Sequence, residues 1–379
     1  MIKRFYGDLS PYLIPGKVLI IQGPRQTGKT TLIQNNLSSM KQYKQIYLTG
    51  DSIEAKTIFS SQSLDTISSF AKNYDLIAID EAQKIEGIGL GLKILVDHIP
   101  EIRVIATGSS SFDLVNKIGE PLVGRATRLN LYPISVAELQ SDGLNAYEIQ
   151  QNLQQYLIYG FYPEVITAET ILQKREYLRN LVDMYLLRDV LEFAGIKGSK
   201  FIVSLLKLLA FQIGNLVSLT ELGQNLQANV RTVAKYLDLL EKTYIIKSLC
   251  GFSRNQRKEI TKKNKYYFFD TGVRNALIGN FNEMQVRNDV GALWENFLVM
   301  ERLKKQEYTR LHANNYFWRT WGGQEVDWVE EHSGKIFGYE FTFSSTQAKK
   351  KKEPKDWKKA WSDTSYEIIT QENYLSFVT

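Results

Sequence analysis

The sequence predicts an α/β fold: a parallel sheet with helices on both faces, then a helical region, a helix-turn-helix and a smaller α+β part. Three patterns lead to this. Short β-branched runs at Val18–Gln22, IYLTG, LIAID and RVIATG alternate with helix-like stretches up to about Leu139, as strands joined by helical crossovers do. From Asn145 to about Phe211 the apolar residues recur at three- and four-residue spacing, which is the period of packed helices. From about Lys265 one long helical pattern mixes with strand-like segments.

At about 100–200 residues per domain, 379 residues correspond to two or three domains. Hydrophobic residues at 44% and charged ones at 23% exclude a disordered chain. Cys250 is the single cysteine, which excludes an internal disulfide framework, and three histidines leave little for a Cys/His zinc site. No apolar run approaches the roughly 20 residues of a membrane helix. The opening MIKRFYGDLSPYLIPGKVLII is broken by Asp8, two prolines and Lys17, and reads as a first strand and not a signal peptide. The expectation is a cytoplasmic protein with no membrane partner. The formal charge of +6 permits nucleic acid as a partner without requiring it. Basic residues gather at Arg254–Lys265 and Lys349–Lys359; such runs are either solvated faces or phosphate-binding surfaces.

The elements follow in order. Val18–Gln22 enters a glycine-rich loop, and TTLIQNNL continues as a helix. The helical region carries YEIQQNLQQYLIYG, REYLRNLVDMYLLRDVLEF and KFIVSLLKLLAFQIG. Within residues 218–250, Ser218 with Glu221 fits a capping box, QAN forms a tight turn, and Asn229 caps a second helix through Glu241. TYIIKSL then supplies a wing strand, so the segment reads as a winged helix-turn-helix. The last part holds the helix VGALWENFLVMERLKK and strands around YFWRTW, EVDWVEE and IFGYEFTF. The expected domains are 1–140, 141–212, 213–255 and 256–379.

GPRQTGKT matches the phosphate-loop pattern G-x-x-x-x-G-K-[ST] and lies between a strand and a helix, as the chemistry requires. Gly23 and Gly28 would let the loop of Gly23, Pro24, Arg25, Gln26, Thr27 and Gly28 wrap around phosphate oxygens, with the N–H groups of all but Pro24 able to donate and the positive end of the next helix behind them. Lys29 would bridge the β- and γ-phosphates, the Thr30 hydroxyl would ligate Mg²⁺, and Thr31 continues the helix start. LIAIDEAQ carries Asp80 to the end of an apolar strand, where it can hold the magnesium shell, and places Glu81 to polarise the attacking water. Thr107 and Ser109 end the RVIATGSS strand as groups able to sense the γ-phosphate; alone they would read as a strand-ending turn. Arg125 and Arg128 are candidates for the cation that neutralises transition-state charge, though an arginine there also suits a surface ion pair. These parts describe a P-loop NTPase site.

Together GPRQTGKT, IDEAQ, ATGSSSFDL, GRATRLNLYPIS, YGFYPEV, YFFDTGVRNALIG, GALWENFLV and GGQEVDWV make the chain resemble the bacterial and archaeal AAA-type ATPases with a C-terminal domain similar to PD-(D/E)XK nucleases. The resemblance implies ATP as the nucleotide, Arg125 as the finger, and a winged helix between the ATPase and nuclease-like parts. It also implies assembly into homo-oligomers, and a metal-binding carboxylate set of Glu295, Asp327 and Glu340. The chain departs from the nuclease signature, which expects a lysine two positions after the strand glutamate; here the run is Glu340-Phe341-Thr342. Without that cation the developing charge on phosphorus lacks a partner, so a retained fold with little or no cleavage is expected. The second helix of the helix-turn-helix carries Arg231 and Lys235, few charges for a helix that reads DNA. The expected function is a Mg²⁺-dependent ATPase whose nucleotide state controls the C-terminal module. The alternatives are a nucleic-acid-binding module switched by ATP, and a metal-dependent DNA nuclease.

Overall fold

A computed structural model describes residues 2–108, 122–186, 199–253, 263–361 and 364–379. Ser109, the rest of the SSSFDL segment, most of the basic stretch from Arg254, and the end of the MYLLRDVLEF helix pattern lie outside the described residues. The chain divides into two compact units, one of Arg4–Tyr132 with Lys242–Tyr244, the other of the remaining residues.

The first unit is an all-parallel sheet of β1 (Lys17–Gln22), β2 (Gln45–Thr49), β3 (Leu76–Asp80), β4 (Arg103–Gly108) and β5 (Ala126–Asn130), in the order β2-β3-β4-β1-β5. Helices α1 (Lys29–Ser39), α2 (Ile53–Ser60), α3 (Leu64–Ala71) and α4 (Ile88–His98) connect and cover it. Alternation along the inner strands explains the two-sided burial. Val18, Ile20, Ile77, Ile79, Val104 and Ala106 join one core with Phe59, Ile67, Leu92 and Leu95 of α2–α4. The intervening Leu19, Ile21, Ala78 and Ile105 are equally buried on the other face. Central strands enclosed on both faces read as unbroken apolar runs, which is why LIAID and VLII stand out in the sequence. Ser52 and Ser63 cap α2 and α3 by accepting the Ala55 and Thr66 N–H groups, so both helices begin where the sequence offers a hydroxyl.

The second unit opens with α5 (Val136–Ser141) and α6 (Ala146–Tyr159), each closed by a reciprocal capping box, Ser135 with Glu138 and Asn145 with Glu148. Helices α7 (Pro163–Thr167), α8 (Ile171–Asn180) and α9 (Ser199–Phe211) complete the helical region. Next come α10 (Leu219–Asn225) and α11 (Val230–Lys242), joined by a turn in which Gln227 takes a left-handed φ of 52°. Ser218 accepts the Glu221 N–H, the first half of the expected capping box, and Asn229 accepts the Thr232 N–H.

Strands β6 (Leu216–Val217), β7 (Ile246–Gly251) and β8 (Asn264–Phe268) pair antiparallel around β8. They do not stand alone. β7 also pairs parallel with β9 (Asn314–Arg319), and β10 (Glu325–His332), β11 (Lys335–Phe341) and β12 (Ser365–Ile369) follow. The result is one seven-stranded sheet, β12-β11-β10-β9-β7-β8-β6, which runs unbroken across the expected boundary at 255/256. Helices α12 (Thr271–Ile278), α13 (Val290–Tyr308), α14 (Ser345–Ala348), α15 (Lys355–Ala360) and α16 (Tyr374–Val378) complete the unit. Among the described residues no helix is long and apolar enough to cross a membrane.

Candidate functional site

In a parallel sheet the strand C-termini share one edge, and loops there converge on a ligand position. The phosphate loop leaves β1 at that edge, Asp80 ends β3, and β4 lies between β1 and β3. That strand order explains why Thr107, near the end of β4, reaches what its neighbours carry.

Gly23 follows β1 with φ 152°, and a Cβ built there would stand 2.1 Å from the Leu131 carbonyl oxygen. The loop passes so close to the chain beyond β5 that no side chain fits. Gly28 takes φ 91° and begins α1, and Gln26 between them is also left-handed. Inside the loop the Thr27 hydroxyl donates to the Pro24 carbonyl at 2.9 Å. Lys29 is buried, and its ammonium donates to the carbonyls of Gly23 (3.0 Å) and Pro24 (2.6 Å). Arg25 is half-buried, while Thr30 and Thr31 open to solvent.

Thr30 Oγ1 donates to Asp80 Oδ2 at 2.6 Å, so the first helical turn and the end of β3 meet directly. Asp80 also accepts from Tyr47 Oη on β2 at 2.9 Å and from the Thr107 hydroxyl. Burial and the adjacent Asp80 charge push the Tyr47 hydroxyl well above its ordinary range, so it remains a donor. Thr107 in turn accepts the Glu81 N–H at 3.1 Å. Its hydroxyl therefore serves Asp80 and Glu81 at once. Glu81 has φ 52°, left-handed for a residue with a side chain, and its carboxylate accepts from Gln83 Nε2 at 2.6 Å. Backbone strain at such a position persists only where the surroundings enforce it. Gly50 is part of that enforcement: a Cβ there would come within 2.2 Å of the Glu81 carbonyl oxygen.

The Thr30 hydroxyl and Asp80 carboxylate form the hard oxygen pair that Mg²⁺ takes while retaining most of its waters. The residues fit that ion.

Sequence reasoning missed four residues here: Tyr47, Gly50, Arg4 and Asn36. Arg4 donates from Nη1 to the Thr27 carbonyl at 2.5 Å and from Nη2 to the Tyr132 carbonyl at 2.6 Å, fastening the phosphate loop to the chain beyond β5. Asn36 of α1 accepts the Leu9 N–H and donates to the Gly7 carbonyl, holding the same N-terminal arm. IYLTG was legible as a strand, but no sequence pattern marks its end as a neighbour of Asp80.

Arg125 is not brought to this site within its own chain. Its carbonyl accepts the Val18 N–H at the start of β1, while the phosphate loop leaves the other end of that strand. Five residues at about 3.3 Å each separate the two ends by roughly 16 Å. The guanidinium instead pairs with Asp97 of α4, and Arg128 is exposed on edge strand β5.

The C-terminal carboxylates meet differently from expectation. Glu295 of α13, Asp327 of β10 and Glu340 of β11 share one region with Glu325, but a lysine stands among them. Lys265 Nζ lies 2.8 Å from Glu295, 2.7 Å from Glu325 and 3.8 Å from Asp327. Burial would lower the ammonium, but Glu295, Asp327 and Glu325 outweigh it and keep it charged. Asp327 is raised well above the usual carboxylate range by burial, with Glu295 and Glu340 adding to the effect. Lys351 pairs with Glu340, which burial also raises. A register irregularity between Val326 and Val329 re-aims Asp327, whose Oδ2 accepts the Phe341 N–H at 2.8 Å. Among the described residues no three His, Cys, Asp or Glu side chains are arranged to hold a metal ion. The expected divalent site at Glu295, Asp327 and Glu340 does not fit, because a tethered ammonium takes the central place.

Arg231 and Lys235 are both exposed on α11, opposite its buried Val233, Tyr236, Leu237 and Leu240. They share the helix face that the sequence assigned them.

Comparison with known proteins accords with the geometry of the first unit. Residues 15–140 match the family described as an AAA domain. Residues 150–284 and 290–376 match two families described as domains of unknown function, DUF8612 and DUF4143. Similar proteins include an uncharacterized protein of Mycobacterium tuberculosis, 28% identical over 87% of this chain and 71% of that one. Another is an uncharacterized protein of Methanocaldococcus jannaschii, 23% identical over 96% of this chain and 82% of its own. AMPPCP-bound DnaA from Aquifex aeolicus aligns over 60% of this chain and 82% of its own at 17% identity, with a TM-score of 0.26. The chain thus carries an AAA-type P-loop ATPase domain, followed by a C-terminal domain of the DUF4143 family, whose function is unknown.

Proposed function

We propose that the protein is a Mg²⁺-dependent ATP hydrolase whose nucleotide state acts on its C-terminal module. The observation that carries the reading is the 2.6 Å contact between Thr30 and Asp80 beneath a glycine cradle too tight for any side chain at position 23. The loop N–H groups and Lys29 bind the phosphates, with phosphate oxygens replacing the Gly23 and Pro24 carbonyls around the ammonium. Bound Mg²⁺ would neutralise charge on the β- and γ-phosphates. Thr30 and Asp80 would hold it, Thr107 orients Asp80 and Glu81, and Glu81 accepts a proton from the attacking water. Arg125, remote from its own phosphate loop, acts on a neighbouring copy of the chain.

Coupling to the C-terminal module rests on Lys242–Tyr244, the link from α11 to β7, which belongs to the nucleotide unit. Tyr244 donates to Asn130 at 3.0 Å, and Asn130 accepts from Gln22, the residue before Gly23. The chain that leaves α11 is therefore tied to the root of the phosphate loop. We read residues 1–140 as the ATPase core, 141–212 as a helical connector, 213–255 as a winged helix and 256–379 as nuclease-like in fold. Cleavage is not its activity in this reading, since Thr342 stands where the nuclease signature expects a lysine.

The experiment is MgATP binding and steady-state turnover by the full chain. Lys29→Ala should lose binding, and Glu81→Gln should bind ATP but turn over at least 100-fold more slowly. Equal turnover by Glu81→Gln and the unaltered protein would remove Glu81 from the mechanism.

A further inference from the structure

The turn joining β9 to β10 presents Trp321 with its whole surface in solvent, 108% of the reference exposure, beside the most basic segment of the described chain. An indole carries about 150–250 Å² that folded proteins usually bury, and this one is held in solvent on a hydrogen-bonded turn with a row of cations beside it. The turn is built to hold it. Thr320 N–H donates to the Gln324 carbonyl at 2.9 Å, Gly323 N–H to the Thr320 carbonyl at 3.1 Å, and Gln324 N–H to Thr320 Oγ1 at 3.1 Å. Gln324 then clamps the turn to α15 through two bonds, Nε2 to Asp356 Oδ2 at 2.7 Å and Oε1 from Asp356 N–H at 3.1 Å.

Helix α15 is anchored from below by Trp357, which is fully buried with Trp318, Val326, Val329 and Phe252. Its exposed positions are Lys355, Asp356, Lys358, Lys359 and Ala360, and the preceding Lys349–Lys352 are exposed as well. Seven lysines against Glu353 and Asp356 give residues 349–359 a net charge of +5. Lys351 pairs with Glu340 and Lys358 lies 3.5 Å from Glu353, which leaves most of that charge facing solvent.

We propose that Trp321 and this lysine segment form a binding surface for single-stranded nucleic acid, with the indole stacking on an unpaired base and the ammonium groups meeting phosphates. One exposed ring beside a row of cations matches that ligand, because every base offers a π-face and every linkage a charge. Duplex DNA keeps its bases stacked inside and offers the ring nothing. An anionic membrane would want an apolar face several residues wide, whereas the large apolar residue of α15, Trp357, is turned inward. The proposal goes beyond the ATPase reading and does not depend on it.

The test is fluorescence anisotropy of the full chain with a labelled 20-nucleotide dT strand and a 20-base-pair duplex. Vesicles of phosphatidylcholine and phosphatidylserine serve as the third ligand. The dT strand should bind more tightly than the duplex, and with three phosphates engaged its affinity should fall about 20-fold between 50 and 200 mM salt. Trp321→Ala should weaken binding by about 5- to 100-fold and Trp321→Phe should restore much of it, since either change sits in solvent and leaves the fold alone. K355A/K359A should flatten the salt dependence. Absence of dT binding at 50 mM salt, equal binding by Trp321→Ala and the unaltered chain, or Trp321-dependent binding of vesicles instead of dT would each overturn the proposal.

Discussion

Thr107→Val removes one hydroxyl while keeping the volume and branching of the side chain, at a position with no solvent exposure. In the folded protein that hydroxyl donates to the Asp80 carboxylate and accepts the Glu81 N–H at 3.1 Å. Asp80 would keep Thr30 and Tyr47 as donors, so the change costs it one hydrogen bond of three. A hydrogen bond to a charged group contributes about 1.5–3 kcal/mol. If that interaction matters chiefly for aligning Asp80 and Glu81 in the transition state, turnover should fall about 10- to 150-fold, at tenfold per 1.4 kcal/mol. Nucleotide affinity should change far less, since Gly23–Lys29 and the Arg4 clamp are untouched. The assay is steady-state turnover with MgATP, beside direct binding of a fluorescent ATP analogue and thermal unfolding of the same preparations. Thr107→Ser should recover most of the turnover, because the hydroxyl returns although a methyl is lost. A folded Thr107→Val protein with turnover within twofold of the original would refute the positioning role. A loss confined to nucleotide binding would move Thr107 back to the phosphates.

Two further outcomes follow from the geometry. Arg125→Ala should leave ATP affinity unchanged in dilute chains and lower turnover only where chains associate, and mixing it with Lys29→Ala should restore part of that turnover. Loss of ATP binding by dilute Arg125→Ala would return the residue to its own site. Asp289 concerns stability: burial would raise its carboxyl, but hydrogen bonds from Arg287 and Arg274 outweigh burial and hold it below the usual value. A depressed folded pKa adds stability above the unfolded value of about 3.9 and loses it as pH falls through the lower folded value. Asp289→Asn should therefore lower stability near neutral pH, and urea unfolding should show the gap closing as pH drops below about 4. A gap independent of pH would mean that the charge of Asp289 contributes nothing.

What the sequence by itself determined is whatever its chemistry keeps contiguous. The phosphate cradle is eight consecutive residues whose backbone must curl around one anion, so GPRQTGKT carries its own geometry. LIAID announces a strand enclosed on both faces with a carboxylate at its end, and the parallel sheet follows from such runs alternating with helices. Helix starts at Ser135 and Asn145 are equally local, since a cap reaches only three residues. Only the tertiary structure decided what side chains far apart in sequence do to one another. Arg4 reaches Thr27 and Tyr132, and Tyr47 and Thr107 meet Asp80, because strand order in the sheet, and no spacing along the chain, sets those distances. No sequence pattern says which copy's phosphate loop Arg125 serves; pairing of β5 with β1 puts it at the opposite end of the strand from its own. Thr342 stands where the nuclease pattern expects a lysine, yet β8 delivers Lys265 into the carboxylates from 77 residues earlier. A long aliphatic arm reaches its partner through space, and the fold alone says which partner is near.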